Sequence, residues 1–561
     1  MNTPDPSTVP PAERGAVLLL CAVLTVLYAP ILGAAPLAWD DGVWLEDPVV
    51  LGPAAEAVHT AFTTARDGVY APILRLAFRV LAPGGPYALH GAVIGCFFLA
   101  LFALQDVLAR VGIGRAARTA ALVIWSTSVL RVENLAWITG LKDTLSLLFL
   151  TLGARSLLAP GDGRDRRAIG AGLWMVLALG VRASVAPVLI ALGAVDMLWR
   201  GRDRASRWAL PAVAAVAAAW VGQAAWLAGP VTAGFPEAPA WLVSMFVLHE
   251  LTSGASAPCA IPTPPIERGL LNWVVPTGMF GVLVVLTGVS PSARPEATHA
   301  PALHQPFNRY GAGYGVAAIA LTLASTLPFI GVVPMAFWGA NRHALLPNLF
   351  STVGVAAIFL STTTRGPSRA AWAWVGIIAA LQLTQTVARV PAWKDDLSLW
   401  TAEKQCPGKH WARELNLGMA QARAGDFEAA AASFLEGTVL NPDHDGLLGR
   451  LIVARLAARG FDQTAAAISA AAVPPPEQGA EWTALATALF RHGDTDLADL
   501  ALTHAIRRRG DHRPEAYAAA VLIAHKSGNE LGAREWMDEA ARQRSAAPGA
   551  LPPQAQGVPT P

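Results

Sequence analysis

The chain has 561 residues, 53% of them hydrophobic, and a mean hydropathy of +0.41. That is too apolar for a water-soluble protein of this length and points to several membrane-spanning helices. A net charge of +2 gives no footing for a nucleic-acid partner, and the four cysteines form no metal-type pair.

Residues 1–13 are polar and proline-rich, so a disordered N-terminus is expected. The first apolar run, Ala16–Ala35, ends on Gly33-Ala34-Ala35, as a signal peptide would. It is long for such a segment and more spans follow, so it reads as a retained helix. Directly after it comes L-A-W-D-D-G-V-W-L-E-D-P, Leu37–Pro48, with the adjacent carboxylates Asp40 and Asp41 where the helix leaves the membrane. Further spans are expected near 88–110, 117–132, 135–157, 168–181, 183–199, 208–229, 269–290, 312–333, 344–361 and 371–388, about eleven in all with the first. Residues 168–199 read alternatively as a bent hairpin, and 241–254 as an amphipathic interfacial segment.

Basic residues cluster at Arg110, Arg115 and Arg118, at Arg155, Arg164, Arg166 and Arg167, at Arg200, Arg202, Arg204 and Arg207, and at Arg365 and Arg369. In the eleven-span arrangement all four clusters share one side. By the positive-inside rule that side is the cytoplasm, which leaves Asp40, Asp41, Glu133, Lys142, Arg342 and everything after about 389 outside. Cys259 and Cys406 then share an oxidising compartment, although nothing in their spacing calls for a disulfide.

Past 390 the composition changes. A polar junction over 391–410 opens with P-A-W-K-D-D-L-S-L-W. Gly425, Gly460, Gly493 and Gly528 then recur at spacings of 35, 33 and 35 residues, each between Ala-rich helical stretches. A period near 34 with glycine at the inter-helix turn is the tetratricopeptide (TPR) signature, so 411–544 is expected to form an α-solenoid of stacked helix pairs. The Ala-, Pro- and Gln-rich tail over 545–561 is expected to be disordered. The fold class is therefore all-α: a polytopic membrane helix bundle over 14–390 with an outer loop at 36–87, followed by TPR-like helical repeats.

The candidate chemistry lies on the outer face. One of Asp40 and Asp41 is placed to take a proton from an acceptor hydroxyl beside a lipid-borne donor. Glu133 follows in R-V-E-N-L-A-W-I-T-G-L-K-D, read as a tight turn between two spans. Lys142, Arg182 and Arg342 are bases at the level where a lipid phosphate would sit, with arginine offering a forked contact. Tyr70, Arg75, His90 and Asp143 are substrate-side candidates. Plainer readings stand beside these: Lys142 and Asp143 pair within a helix end, Arg182 snorkels to the interface, Glu133 is solvated, and the tryptophans anchor the interface. There is no nucleotide-binding glycine loop and no convincing metal cluster. His90, His249 and His343 are isolated.

In this order, W-D-D, V-E-x-x-A-W-x-x-G-x-K-D, L-P-F-I-G-V-V-P-M-A-F-W-G-A-N-R-H and the junction before the repeats resemble the transmembrane and TPR O-mannosyltransferases and their bacterial relatives, within the C-type glycosyltransferase superfamily. The resemblance covers about 15 to 445. It implies a multi-pass enzyme of the bacterial inner membrane with a cytoplasmic N-terminus and an extracytoplasmic TPR domain. Such an enzyme moves a mannose-like sugar from a polyprenyl-phosphate donor to a hydroxyl, Ser or Thr of a protein. It implies the catalytic base at Asp40 or Asp41 and a supporting acid at Glu133, with no certain cofactor and the use of a divalent metal left open. The repeats would hold a protein acceptor or partner. The chain departs from the family pattern in carrying Ser128 and Arg131 for two histidines, Leu141 for an arginine, Arg182-Ala183 for Lys-Glu, and Asn341-Arg342-His343 for Asp-Arg-Tyr. Those departures also fit a second reading, a catalytically inactive membrane scaffold that uses its repeats for protein–protein interaction.

Overall fold

The structure, a computed structural model, describes 11–38, 40–66, 69–159, 164–190, 345–361, 369–406, 409–441, 444–458, 479–491, 493–507 and 510–546. The expected spans at 208–229, 269–290 and 312–333, most of 183–199, the segment 241–254, and Arg342 lie outside these residues. Among the described residues every regular element is an α- or 3-10 helix, beside one isolated bridge between Arg66 and Val69. The chain divides into two compact units, Met1–Gly408 and Lys409–Pro561. The residues 391–408 fall within the first unit.

The first unit opens with α1, Pro11–Tyr28, so the helix begins before residue 14. Its inner face carries Val17, Leu20, Cys21, Leu24 and Tyr28 at helical spacing, while Leu18, Leu19 and Val26 face outward. Four short helices follow: α2 Asp41–Leu45, α3 Pro48–Leu51, α4 Ala54–Thr63 and α5 Pro72–Leu81. Next come α6 Gly85–Arg110, α7 Arg115–Thr127, α8 Arg131–Ala136, α9 Leu141–Leu157 and α10 Arg164–Val181. The helix α9 packs between α6 and α10. After the undescribed stretch come α11 Leu345–Ser361 and α12 Arg369–Arg389, both packed on α7, and α13 Asp396–Lys404. The Trp125 indole N–H donates to the Leu345 carbonyl at 3.1 Å, and the Thr386 hydroxyl to the Thr127 carbonyl at 3.2 Å, which ties these distant helices together.

Among the described residues three helical stretches are long and apolar enough to cross a membrane: Glu13–Ile31, Pro72–Arg110 and Arg369–Lys394. Of the other described helices, α10 covers the expected 168–181 and α11 the expected 344–361 to within one residue, but α7 and α9 fall short. The helix α7 has 13 residues and stops at Ser128, and α9 has 17 and starts only at Leu141. The expected 117–132 and 135–157 are therefore one helix each plus the short buried α8 between them.

The unit has two polar ends. At one, Arg118 pairs with Glu13 at 2.7 Å, Arg155 with Asp106 at 2.9 Å, and Arg110 donates to the Arg155 carbonyl. At the other lie the starts of α2, α6 and α9 and the end of α10. The 26 residues of α6 separate the two by about 39 Å, the thickness of a bilayer with its interfaces.

Among the described residues the second unit contains α14 Trp411–Arg423, α15 Phe427–Leu440, α16 Asp445–Ala458, α17 Gly479–Arg491, α18 Thr495–Arg507, α19 Pro514–Lys526 and α20 Glu530–Ala546. The helices pack in sequence from α14 to α16 and from α17 to α20, around one core that includes Phe434, Leu451, Trp482, Leu502 and Trp536. Three of the turns are the same turn. Gly425, Gly493 and Gly528 all have φ between 75° and 84°. In each, the residue after glycine donates its N–H five residues back, Asp426 to Gln421, Asp494 to Leu489 and Asn529 to Ala524. The same residue's side chain then accepts from the N–H three residues on, at Ala429, Leu497 and Gly532. One Gly-Asx dipeptide thus closes one helix and caps the next. Gly460 lies outside the described residues.

Candidate functional site

The end of the first unit opposite the Glu13–Arg118 pair brings together three segments that are far apart in sequence. Asp41 begins α2 and is fully buried. Its Oδ1 accepts the Thr139 hydroxyl at 2.5 Å and the Thr139 backbone N–H at 3.2 Å, and its Oδ2 accepts the Leu37 N–H at 2.7 Å. Burial, against these three bonds and reinforced by neighbouring Asp40, raises its pKa from 3.8 to about 6. Asp40 is half-buried, and its side chain does not cap α2. One residue before the undescribed Trp39, Ala38 donates its N–H to the Asp396 carboxylate at 3.1 and 3.2 Å. Trp137 packs against Trp393 with the two rings tilted by 43° and their centroids 6.5 Å apart. The loop 37–41, the segment 131–143 and the segment 393–396 therefore form one assembly.

Gly140 explains the glycine in the middle segment. A Cβ there would collide with the Asn134 carbonyl, so only glycine lets α8 fold back onto the start of α9. That fold-back sets Thr139, Lys142 and Asp143 in their places. Asp143 is buried in the first turn of α9, where the helix dipole favours a carboxylate. It accepts the Asn134 amide at 3.2 Å and is ion-paired with Arg182, which also donates from Nε to Ser184 at 2.8 Å. Lys142 is half-buried, its Nζ 5.2 Å from the centre of the Trp137 ring.

The remaining candidates are held differently from the sequence expectation. Glu133 is not in a solvated turn but in α8, fully buried beside Arg131. The Arg131 guanidinium lies 5.6 Å from the Trp125 ring. Arg75 is buried in a two-bond pair with Asp47, Nε and Nη2 each at 2.9 Å, and its Nη1 donates to the Thr64 carbonyl at 2.7 Å. It ties α3, α4 and α5 together and is not presented to a substrate. Tyr70 is buried with its hydroxyl on the Phe62 carbonyl at 3.2 Å. His90 is buried in α6. Cys406 is disulfide-bonded, contrary to what its spacing suggested, while Cys21 and Cys96 are free thiols; Cys259 lies outside the described residues. Among the described residues no group of three His, Cys, Asp or Glu is disposed to hold a metal ion.

Thr139, Asp396 and Asp47 were not singled out by sequence reasoning. All three sit inside segments that were: Thr139 beside Lys142, Asp47 in Leu37–Pro48 with the more chemically obvious Asp40, and Asp396 in the stretch 391–400. Comparison of the chain with family models, with curated proteins and with solved structures finds no match.

Proposed function

We propose that the chain is an integral membrane glycosyltransferase that moves a sugar from a polyprenyl-phosphate donor to a hydroxyl acceptor on the extracytoplasmic face. The observation that carries this reading is the assembly of Asp41 on Thr139. It joins an acidic loop at the end of one apolar helix to the Lys142-bearing segment at the same end of the unit. An acid–base pair of groups at that level is what transfer from a lipid phosphate requires.

The two acids have different environments and so different roles. Asp41, enclosed and triply bonded, is a positioning residue that fixes the loop. Asp40, half-buried, is the base. The acceptor oxygen attacks C1 of the sugar and the C1–O bond to the lipid phosphate breaks. The phosphate leaves with the bonding electrons, and the acceptor proton passes to Asp40. Lys142 neutralises the departing phosphate, aided by Arg182 as its pairing with Asp143 allows. Arg342 is carried in this role from the sequence alone.

The basic ends of α6, α7 and α9 face the cytoplasm, which puts Asp40 and the second unit outside. The disulfide at Cys406 fits an oxidising side. The described helices are part of an eleven-span bundle. The repeated Gly-Asx turns of the second unit fit a TPR solenoid that holds the acceptor protein.

The test is sugar transfer by purified protein from a panel of polyprenyl-phosphate sugars, with Asp40→Asn and the Asp40→Asn/Asp41→Asn double variant alongside. Turnover that falls by 10²-fold or more in Asp40→Asn, roughly the weight of a general base, supports the reading, and unchanged turnover removes the base assignment. The second reading, an inactive scaffold, is favoured by the engagement of Arg182 with Asp143 and Arg75 with Asp47, which occupies bases otherwise open to a phosphate. Absence of turnover with every donor, together with a partner retained on the repeats, would select it.

A further inference from the structure

The end of the first unit that holds the Glu13–Arg118 pair carries more positive charge than the described protein groups neutralise. Glu13 is met by Arg118 at 2.7 Å and by Arg115 at 3.6 Å. Asp106 is paired with Arg155 at 2.9 Å and attracts Arg110 as well. Each acid is thus shared by two arginines. Arg110 is the last residue of α6 and Arg155 lies in the last turn of α9, so the two guanidiniums meet where these packed helices end.

Helix geometry accounts for part of this crowding. The C-terminus of a helix favours cations. Arg110 donates from Nη1 to the Arg155 carbonyl at 2.9 Å, and Arg167 donates from Nη1 to the Ala159 carbonyl. The rest is not accounted for. A guanidinium has five N–H donors. Among the described residues Arg110 has that one carbonyl as acceptor, and its Nε is enclosed without a hydrogen bond. Arg110 and Arg155 also repel each other. The Arg155 side chain is 46% exposed, so a ligand can reach it.

We infer that Arg110 and Arg155 bind the phosphodiester of an anionic phospholipid of the phosphatidylglycerol type, in the leaflet at this end. Two arginines sharing one carboxylate are complementary to one further anion, and each can offer a phosphate a forked pair of donors. Depth favours a lipid over free phosphate. Arg110 closes Pro72–Arg110, a stretch long and apolar enough to cross a membrane, and so stands at headgroup level. Leu99 lies eleven residues earlier, on the same face of α6 and about 16 Å deeper. It is 59% exposed, so the surface beneath the charge is open to an acyl chain. Lys142 and Arg182 are at the opposite end of the unit. The inference rests on the membrane reading of the long apolar helices and not on the transfer chemistry.

The experiment measures lipid retention by the purified, delipidated full chain in detergent, by native mass spectrometry during titration with phosphatidylglycerol or phosphatidylcholine. Phosphatidylglycerol should be retained in preference. Arg110→Gln and Arg155→Gln should each weaken its retention about fivefold, and the double variant about twenty-fold, the weight of one and of two arginines at headgroup level. Asp106→Asn removes the competing carboxylate and should strengthen retention about threefold, which decides the matter even if the double variant fails to fold. Arg115→Gln, at the same end but on α7, should change it less than about twofold. Unchanged retention in both Arg110→Gln and Arg155→Gln, or an equal loss in Arg115→Gln, would overturn the inference in favour of diffuse surface charge. Weaker retention in Asp106→Asn would overturn it too. Phosphatidylcholine held as tightly as phosphatidylglycerol would remove the role of the anion. Displacement of the lipid by millimolar inorganic phosphate would overturn the lipid in favour of a free-phosphate site. Recovery of the chain from cells without detergent would overturn the membrane reading, and this inference with it.

Discussion

Thr139 donates to Asp41 twice, from its hydroxyl at 2.5 Å and its backbone N–H at 3.2 Å, across 98 residues of sequence. The second contact needs only a backbone, but the first needs a hydroxyl. Thr139→Val keeps the shape and removes that donor, leaving a buried carboxylate oxygen with a single partner. The expected cost is about 1–3 kcal/mol of stability, seen as a lower midpoint of thermal unfolding in detergent or nanodiscs. Thr139→Ser should restore most of it. If the loop positions the base, the valine variant should also lose transfer mainly in kcat, because donor binding does not involve this contact.

Asp41 also makes stability depend on pH. Its pKa is raised on folding, from 3.8 to about 6, chiefly because burial disfavours the charge. Between those values the folded protein holds more protons than the unfolded chain, so stability falls as pH rises from about 4 to about 6 and is flat above. The difference between the two ends is on the order of 3 kcal/mol for this group. Asp41→Asn does not titrate and should remove that slope. Unfolding midpoints measured across the window, native against variant, check the sign; a slope unchanged in the variant would assign it to another group.

Arg75 and Asp47 form a buried pair with two bonds of 2.9 Å, and Asp47 also caps α3 by accepting the Val49 N–H at 2.7 Å. Arg75→Ala leaves that carboxylate enclosed without its cation, a loss of about 3–5 kcal/mol. Arg75→Lys should recover little, since an ammonium cannot serve both Asp47 oxygens and the Thr64 carbonyl at once. Protease cleavage within 47–75 should accelerate in both variants while the long apolar helices remain protected.

Glycine at 140 is open to the same kind of test. Gly140→Ala drives a methyl group into the Asn134 carbonyl, which belongs to backbone and cannot swing away. Thr139, Lys142 and Asp143 would shift together. The expected result is loss of the Asp41 titration described above together with about 1–3 kcal/mol of stability. A variant that keeps both would show that the fold-back tolerates a Cβ.

The segments that meet at the acid end were legible in sequence, because their polar residues interrupt apolar runs. What each residue does there was not. Asp40 and Asp41 are adjacent and chemically alike, and only the path of the chain makes one enclosed and the other half-buried. Arg75 looked available because sequence does not show that Asp47, 28 residues away, reaches it. Span lengths misled for a related reason: the hydrogen-bonded helix breaks at Ser128 and again between Ala136 and Leu141, and hydropathy averaged over a span does not mark such breaks. The repeat was easier, since its marks are local. The glycines must take a left-handed φ, and the residue after each must carry a short oxygen-bearing side chain.

That locality gives the second unit a sharp test. Gly425, Gly493 and Gly528 occupy the same position in the same turn, with φ of 84°, 84° and 75°, where a Cβ is strained although space is open around it. Alanine at each should therefore cost about the same, about 1 kcal/mol, through backbone conformation alone. By contrast, Gly418→Ala would place its methyl 2.6 Å from the Phe434 ring, a packing clash between α14 and α15 with a cost of about 1–3 kcal/mol. Amide hydrogen exchange on the full chain separates the two mechanisms. The turn variants should each speed exchange about fivefold, the factor that about 1 kcal/mol carries, in the two helices they join. The Gly418 variant should act more strongly, and on α14 and α15 before the rest. Equal, unit-wide acceleration by all four would mean that the repeats open as one block and not as neighbouring pairs.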